Sequence, residues 1–135
     1  MGAKMTEGTG HRILVVEDAP STQRALATIL RQAGYTVIQA RDGSEAIRMW
    51  RDPGADLVLM DLVMPEKDGI ETIIELRASN PDIRIIAMSG GAGIDNPRVD
   101  LLGDAKMLGA MLTIDKPFTP AEVIAVVRRA LEGAE

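Results

Sequence analysis

The sequence predicts an α/β domain in which five parallel strands alternate with five helices in an open, doubly wound sheet. Short runs of β-branched and other apolar residues alternate along the chain with stretches of helical period. These runs are continuously apolar, which is typical of parallel strands buried on both faces. The chain has 135 residues, the length of one domain and far short of the ~250 residues of a closed α/β barrel.

The five predicted strands share a composition rich in isoleucine, valine, leucine and methionine. They cover Ile13–Val16, Tyr35–Gln39, Leu57–Met60, Ile83–Ala87 and Met111–Ile114. Each is followed by a segment long enough for a helix that crosses back over the sheet, and such crossovers are right-handed.

The first predicted helix follows the first strand and ends before Gly34, which suits the residue after a helix C-terminus. Its apolar residues recur at i, i+3, i+4 and i+7, so they lie on one face. They are Leu26, Ile29, Leu30 and Ala33.

The second and third helices are predicted from an N-terminal signal and from apolar spacing, respectively. Asp42 begins the second, with Glu45 three residues later as its capping-box partner. The third presents Ile70, Ile73 and Ile74 on one side.

The fourth and fifth helices are predicted from prolines at their first positions. Asn96 followed by Pro97 begins the fourth. Thr119 and Pro120, with Glu122 completing a capping box, begin the fifth.

Composition narrows the function classes. Fifteen Lys and Arg against 20 Asp and Glu give a net charge of −5, and only three residues are aromatic, so a nucleic-acid partner is not predicted. The absence of cysteine excludes disulfides and thiolate sites and fits a cytoplasmic protein. No apolar run reaches the ~20 residues of a membrane span, so no membrane partner is predicted. Residues 1–10 are interpreted as a flexible tail, the first four as an expression remnant, and residues 11–133 as the domain.

Polar residues that are able to bind a ligand or to react follow the strands at one edge of the predicted sheet, where ligands of such sheets bind. They are Glu17, Asp18, Asp61, Ser89 and Lys116. Taken singly, each suits an ordinary loop or helix cap. Together, three converging carboxylates repel one another and favour a hard divalent cation such as Mg²⁺, with one carboxylate available to accept a phosphoryl group.

These residues and the motifs around them resemble the receiver domain of two-component response regulators over about residues 11–133. The motifs are Glu17-Asp18, Asp61-Leu62-Val63-Met64-Pro65 with Asp68-Gly69, and Lys116-Pro117-Phe118. The resemblance implies a flavodoxin-like strand order of 2-1-3-4-5 and a stand-alone, single-domain receiver.

The resemblance also implies a role for each site residue. Asp61 corresponds to the phospho-acceptor, and Lys116 to the lysine that pairs with it and then with the phosphate. Ser89 corresponds to the hydroxyl residue that turns toward the phosphoryl group on activation. The implied ligands of Mg²⁺, or of Mn²⁺, are Glu17, Asp18, Asp61 and the backbone carbonyl of Val63, with Asp18 the more direct of the acidic pair. The Lys116–Pro117 peptide bond is implied to be cis.

The implied partner is a sensor histidine kinase or a histidine phosphotransfer protein, because the chain's one histidine, His11, precedes the first strand. The chain would catalyse only its own phosphorylation and dephosphorylation, so it is not predicted to be an enzyme acting on other substrates. We expect output to pass to a downstream protein through the face formed by the fourth helix, fifth strand and fifth helix, and a homodimer through that face is also considered. A relay shuttle and a chemotaxis-like regulator both fit.

Other functions of similar folds are considered as alternatives. A pseudo-receiver that never carries phosphate is disfavoured by the intact Asp61, Ser89 and Lys116. A haloacid-dehalogenase-type phosphatase needs a second aspartate at Val63. A dehydrogenase needs a glycine-rich motif after the first strand, and a flavin carrier needs a hydroxyl-rich phosphate loop there.

The sequence departs from the family pattern at three places. Glu17 stands where aspartate is common, so its contact with the metal is expected to pass through a water. Thr113 occupies the position of the usual switch aromatic, so a different readout is expected. The segment Gly90–Asn96 is glycine-rich, and a switch loop and an ordinary surface insertion are both considered.

Overall fold

The computed structural model describes residues 11–62, 69–89 and 110–132, apart from the side chain of Ser89. Its five strands are β1 (Arg12–Val16), β2 (Thr36–Ala40), β3 (Leu57–Asp61), β4 (Ile85–Ser89) and β5 (Leu112–Asp115). They form one sheet in the order β2-β1-β3-β4-β5, and every pairing is parallel. The predicted fold class and strand order are therefore confirmed. The largest difference is in β4, which begins two residues later than predicted and runs through Ser89.

The four described helices are α1 (Pro20–Gln32), α2 (Gly43–Arg51), α3 (Gly69–Ser79) and α4 (Pro120–Leu131). Helix α4 is the predicted fifth helix, whereas the predicted fourth, from Asn96, lies outside the described residues, as do residues 1–10. None of the described helices combines the length and apolar character that crossing a bilayer requires.

The helices α2 and α4 begin at the predicted N-cap residues, but the reciprocal capping box is complete only at α4. At α2 the Glu45 carboxylate accepts from the amide of Arg41 instead of the amide of Asp42, so the predicted capping box there is only half formed. The side chain of Asp42 accepts a hydrogen bond of 2.9 Å from the Glu45 amide. At α4 the Thr119 hydroxyl accepts from the amide of Glu122, and the Glu122 carboxylate accepts from the amide of Thr119. Each cap satisfies amides that the first helical turn leaves without partners, which fixes where the helices begin after β2 and β5.

The core divides into two apolar clusters, one on each face of the sheet. In β1, Ile13 and Val15 belong to one cluster while Leu14 and Val16 belong to the other, and all four are fully buried. This alternation follows from the period of two in a strand. Residues of α1 and α4 line the first cluster and residues of α2 and α3 the second, so helices cover both faces.

Helix α3 differs from its predicted face. Ile73 is fully buried, but Ile74 is 49% exposed, so the prediction that it shares a buried side with Ile70 and Ile73 is wrong. The buried positions of the helix follow i, i+3, i+4 and i+7 from its first residue. They are Gly69, Thr72, Ile73 and Leu76. A glycine and a threonine complete the stripe, and neither registers as apolar in the sequence.

Candidate phosphoryl-acceptor site

Three carboxylates meet at the carboxyl edge of the sheet, where β1 and β3 end side by side. Glu17 and Asp18 directly follow β1, and Asp61 is the last residue of β3. Each offers an oxygen atom within 4.8 Å of the others. Parallel pairing of the two strands brings these oxygens together, because it places both carboxyl ends at the same edge.

The three carboxylates differ in their burial. Glu17 is 2% exposed and Asp61 is 4% exposed, whereas Asp18 is exposed to solvent. A buried carboxylate loses its hydration, so it needs hydrogen-bond donors or a cation nearby. The two buried acids therefore depend on partners that the rest of the fold supplies.

Lys116, just after β5, supplies that cation. Its Nζ donates to Glu17 Oε1 at 2.9 Å and to Asp61 Oδ1 at 3.3 Å. Burial alone would lower the pKa of Lys116, but the hydrogen bond to Glu17 and the charges of Asp61 and Glu17 raise that pKa above its usual value. The Lys116–Pro117 peptide bond is cis, as the resemblance implied.

Glu17 has a second donor, in the loop that joins β1 to α1. Its Oε2 accepts from the backbone amide of Ala19 at 3.2 Å. One oxygen of Glu17 therefore binds the lysine and the other holds the residue that caps α1. Asp18 carries its carboxylate outward from the same short loop.

Gln23, on the second turn of α1, is a part of this site that the sequence analysis missed. Its Nε2 donates to the carbonyl of Glu17 at 3.0 Å and to the carbonyl of Ala40 at 2.8 Å. The Ala40 carbonyl also accepts from the amide of Glu17 at 3.0 Å. Gln23 thus joins α1 to the ends of β1 and β2. No local sequence signal marks a glutamine whose partners are backbone carbonyls.

Gly69, the first residue of α3, packs directly on the backbone of Asp61. A Cβ at Gly69 would lie 2.5 Å from the Asp61 carbonyl oxygen and 2.6 Å from the Leu62 Cα. The amide of Gly69 also donates to the carbonyl of Leu62 at 3.1 Å. The glycine of the sequence motif therefore permits a close approach that holds the end of β3 in place.

The other predicted site residues are described only in part. Ser89 ends β4 and pairs with Asp115 in register, but its side chain lies outside the described residues. Val63 and the glycine-rich segment Gly90–Asn96 lie outside them as well. Thr113, half-buried in β5, pairs with Ala87 in the middle of the strand pair.

The donor set suits a hard divalent cation. Carboxylate oxygens are the protein ligands that Mg²⁺ and Mn²⁺ prefer, and three of them converge here with one, on Asp18, facing solvent. A cluster with one exposed carboxylate suits a metal that retains several waters, as Mg²⁺ does.

The same order of acids, glycine and lysine occurs in a known family. The sequence model of the "Response regulator receiver domain" matches residues 13–128. The chain belongs to the response regulator receiver domain family. It is 33% identical over 121 residues to the chemotaxis protein CheY of Thermotoga maritima, covering 89% of this chain and 97% of that protein. The receiver domain of NtrX from Brucella abortus superposes with a TM-score of 0.81 at 30% identity, over 89% of this chain and 98% of the domain.

Other relatives of this receiver are longer. The chain is 38% identical over 124 residues to the probable transcriptional regulator ycf27 of Porphyridium aerugineum, covering 92% of this chain but 49% of that protein. It thus spans about half the length of that relative. The similarity is to the receiver portion, which small proteins and larger regulators share.

Proposed function

We propose that this receiver accepts a phosphoryl group on Asp61 from a phosphohistidine of a partner protein, in a two-component or phosphorelay signalling system. The observation that carries the proposal is the Asp61 carboxylate, 4% exposed, with Lys116 Nζ at 3.3 Å and two further acids beside it. An Asp61 oxygen forms a bond to phosphorus as the bond between phosphorus and the imidazole nitrogen breaks. The imidazole leaves with the electron pair of that bond.

Asp18, Asp61 and the backbone carbonyl of Val63 would hold Mg²⁺ or Mn²⁺. When bound, the metal supplies positive charge that offsets the charge of the phosphoryl oxygens. Glu17 is further from this direct role than Asp18, because both of its oxygens already accept hydrogen bonds within the protein. Glu17 instead keeps Lys116 over Asp61.

Lys116 would stabilise the phosphorylated state. In the unphosphorylated protein its ammonium group forms ion pairs with two buried carboxylates at once. After transfer, the Asp61 oxygen carries the phosphoryl group, so the same ammonium group meets phosphoryl oxygens instead. A preformed cation at this position lowers the cost of the developing charge. Ser89, at the end of β4, is proposed as the hydroxyl that contacts the phosphoryl group.

The proposal makes the chain a signalling switch that acts on itself and not an enzyme with other substrates. A sensor histidine kinase or histidine phosphotransfer protein supplies the phosphoryl group, and a downstream protein reads the face formed by the predicted fourth helix, β5 and α4. The cytoplasmic location predicted from the sequence stays part of this proposal.

The test is incubation with acetyl phosphate, with and without Mg²⁺, followed by intact-mass measurement. We expect one phosphoryl adduct that requires Mg²⁺ and is absent in Asp61→Asn. A pseudo-receiver, which the sequence left as the alternative, would give no adduct from acetyl phosphate or from kinase-linked phosphohistidine and no Mg²⁺ binding. The absence of an adduct from both phosphoryl donors would overturn the proposal, whether or not Mg²⁺ binds.

A further inference from the structure

Gln23 makes contacts at the site that its position on a helix does not require. Both of its amide hydrogens are directed at backbone carbonyls, at 3.0 Å to Glu17 and 2.8 Å to Ala40. A carbonyl oxygen can only accept a hydrogen bond, so the amide nitrogen of Gln23, which carries the hydrogens, must face the two carbonyls. The orientation of this side chain is thereby settled by its partners.

We propose that Gln23 is a positioning residue, which holds the acidic pair in the geometry that binds the metal and accepts the phosphoryl group. The carbonyl of Glu17 belongs to the peptide group that links it to Asp18. Fixing that carbonyl fixes the direction in which the chain leaves β1. The outward course of Asp18 and the inward course of Glu17 both depend on it.

The surrounding hydrogen bonds form a closed set around this peptide. The Glu17 amide donates to Ala40, and the Gln23 amide group bridges the Ala40 and Glu17 carbonyls. The backbone amide of Gln23 donates to the Ala19 carbonyl at 2.9 Å, while the Ala19 amide donates to the Glu17 carboxylate. These hydrogen bonds connect α1, β1 and β2 through the loop of residues 17–19, and Gln23 supplies the bonds from the helix.

Glutamine meets two requirements at this position. It supplies two donors from one nitrogen, which the two carbonyls need. It also adds no charge beside carboxylates that must attract a cation. Methionine, similar in length and in helix propensity, lacks both donors. Arginine supplies donors in a planar fork and adds a positive charge.

The inference rests on the proposed function, and Gln23→Met tests it against Gln32→Met, the same change at an exposed position of the same helix. Gln32 lies nine residues further along α1, roughly 13 Å along its axis. We expect Gln23→Met to weaken Mg²⁺ binding about tenfold by calorimetric titration, the lower end of the cost of losing hydrogen bonds that orient metal ligands. Gln32→Met should bind Mg²⁺ as the unmodified protein does. Equal affinity in both variants would overturn the proposal.

Gln23→Arg separates the hydrogen bonds from a general effect on packing. At saturating Mg²⁺ we expect Gln23→Met to be phosphorylated by acetyl phosphate more slowly than the unmodified protein. We expect Gln23→Arg to be phosphorylated as fast as the unmodified protein. A folded Gln23→Arg variant as slow as Gln23→Met would overturn the proposal, because it retains the donors.

A measurement on the unmodified protein covers the case in which Gln23→Met fails to fold. The side-chain NH₂ protons of Gln23 should exchange with solvent more slowly than those of Gln32 in nuclear magnetic resonance spectra, and equal exchange would overturn the proposal. Slow exchange and weakened Mg²⁺ binding in Gln23→Met, without any adduct in the unmodified protein, would refute the proposed function and retain the role of Gln23.

Discussion

Gly69→Ala is the substitution for which the structure predicts an effect opposite to that expected from local propensity. Gly69 begins α3, and alanine at a helical position normally stabilises a protein by about 0.4–1 kcal/mol relative to glycine. Here the added Cβ would lie 2.5 Å from the Asp61 carbonyl oxygen and 2.6 Å from the Leu62 Cα. Both neighbours are backbone atoms, so no side chain can rotate away to make room.

The distances set the size of the expected effect. Ordinary contacts of a Cβ begin near 3.4 Å, so α3 and the end of β3 must separate by roughly 0.9 Å. Overpacking of this kind costs about 1–3 kcal/mol, which lowers the melting temperature of a domain this size by on the order of 5–10 °C. Because the displaced backbone carries Asp61, phosphorylation should slow as well. A misplacement of about 1 Å can cost 10²-fold in rate, so we expect a loss of about tenfold or more.

The assay compares thermal unfolding and the rate of phosphorylation by acetyl phosphate at saturating Mg²⁺ with those of Gly54→Ala. Gly54 has a positive φ of 81°, and its Cβ would meet only the Trp50 carbonyl oxygen, at 3.8 Å. Alanine is strained there by its backbone conformation, at the opposite edge of the sheet from Asp61. Gly54→Ala should therefore lose stability while keeping its phosphorylation rate. A Gly69→Ala variant as stable as the unmodified protein, or equally fast, would refute the reasoning.

Three further predictions concern charge. Lys116→Met should lower the free energy of unfolding by roughly 2–4 kcal/mol in urea titrations without metal, because it removes the cation that pairs with the buried Glu17 and Asp61. Mg²⁺ should stabilise this variant more than it stabilises the unmodified protein. Equal urea midpoints of the two proteins without metal would contradict the argument. The pKa of Lys116 is raised above 10.5, so the contribution of Lys116 to the free energy of unfolding should be complete below pH 10.5 and fall as the pH rises through the higher pKa of the folded state. Unfolding measured from pH 8 to 12 checks this. A loss of that contribution beginning below pH 10 would be inconsistent with the prediction. The hydrogen bond from the Arg41 amide lowers the pKa of Glu45 below 4.5 despite the opposing effect of burial. Glu45→Gln should therefore lower the free energy of unfolding by about 1 kcal/mol at pH 7, and this difference from the unmodified protein should shrink as the pH falls through the pKa of the folded state. A difference that stays constant from pH 7 to pH 3 would argue against the prediction.

The sequence was sufficient for the fold because the relevant signals are local and agree with one another. The apolar runs mark strands buried on both faces, and in β1 successive residues do alternate between the two clusters. Capping residues mark the starts of α2 and α4 to within a residue. Helix α3 was harder, because Thr72 is fully buried and Ile74 is 49% exposed. Apolar spacing alone selects the isoleucine, and only tertiary packing reveals that the threonine belongs to the core.

Part of the site was predictable for a topological reason. Parallel strands end at one edge, so Glu17 and Asp61 must lie near each other once β1 and β3 are neighbours. The contacts that orient them are not predictable in this way. Gln23 bonds to carbonyls, which every residue of the chain possesses, and Gly69 matters through the space that a missing Cβ leaves. Neither contact depends on a residue pattern that local reasoning recognises.

The acidic pair shows how tertiary structure divides roles between adjacent residues of similar chemistry. In the sequence, Glu17 and Asp18 are two carboxylates in succession, and both are candidates for binding a metal. In the fold, Glu17 is 2% exposed, and its two carboxylate oxygens accept hydrogen bonds from Lys116 and from the amide of Ala19. Asp18 is exposed. The longer side chain of glutamate suits the first position, since it spans from β1 to a lysine 99 residues away in the chain. The shorter, exposed aspartate is then the one of the pair that we propose as the direct metal ligand. Glu17→Asp should therefore displace Lys116 from its hydrogen bonds, while the affinity for Mg²⁺ changes little.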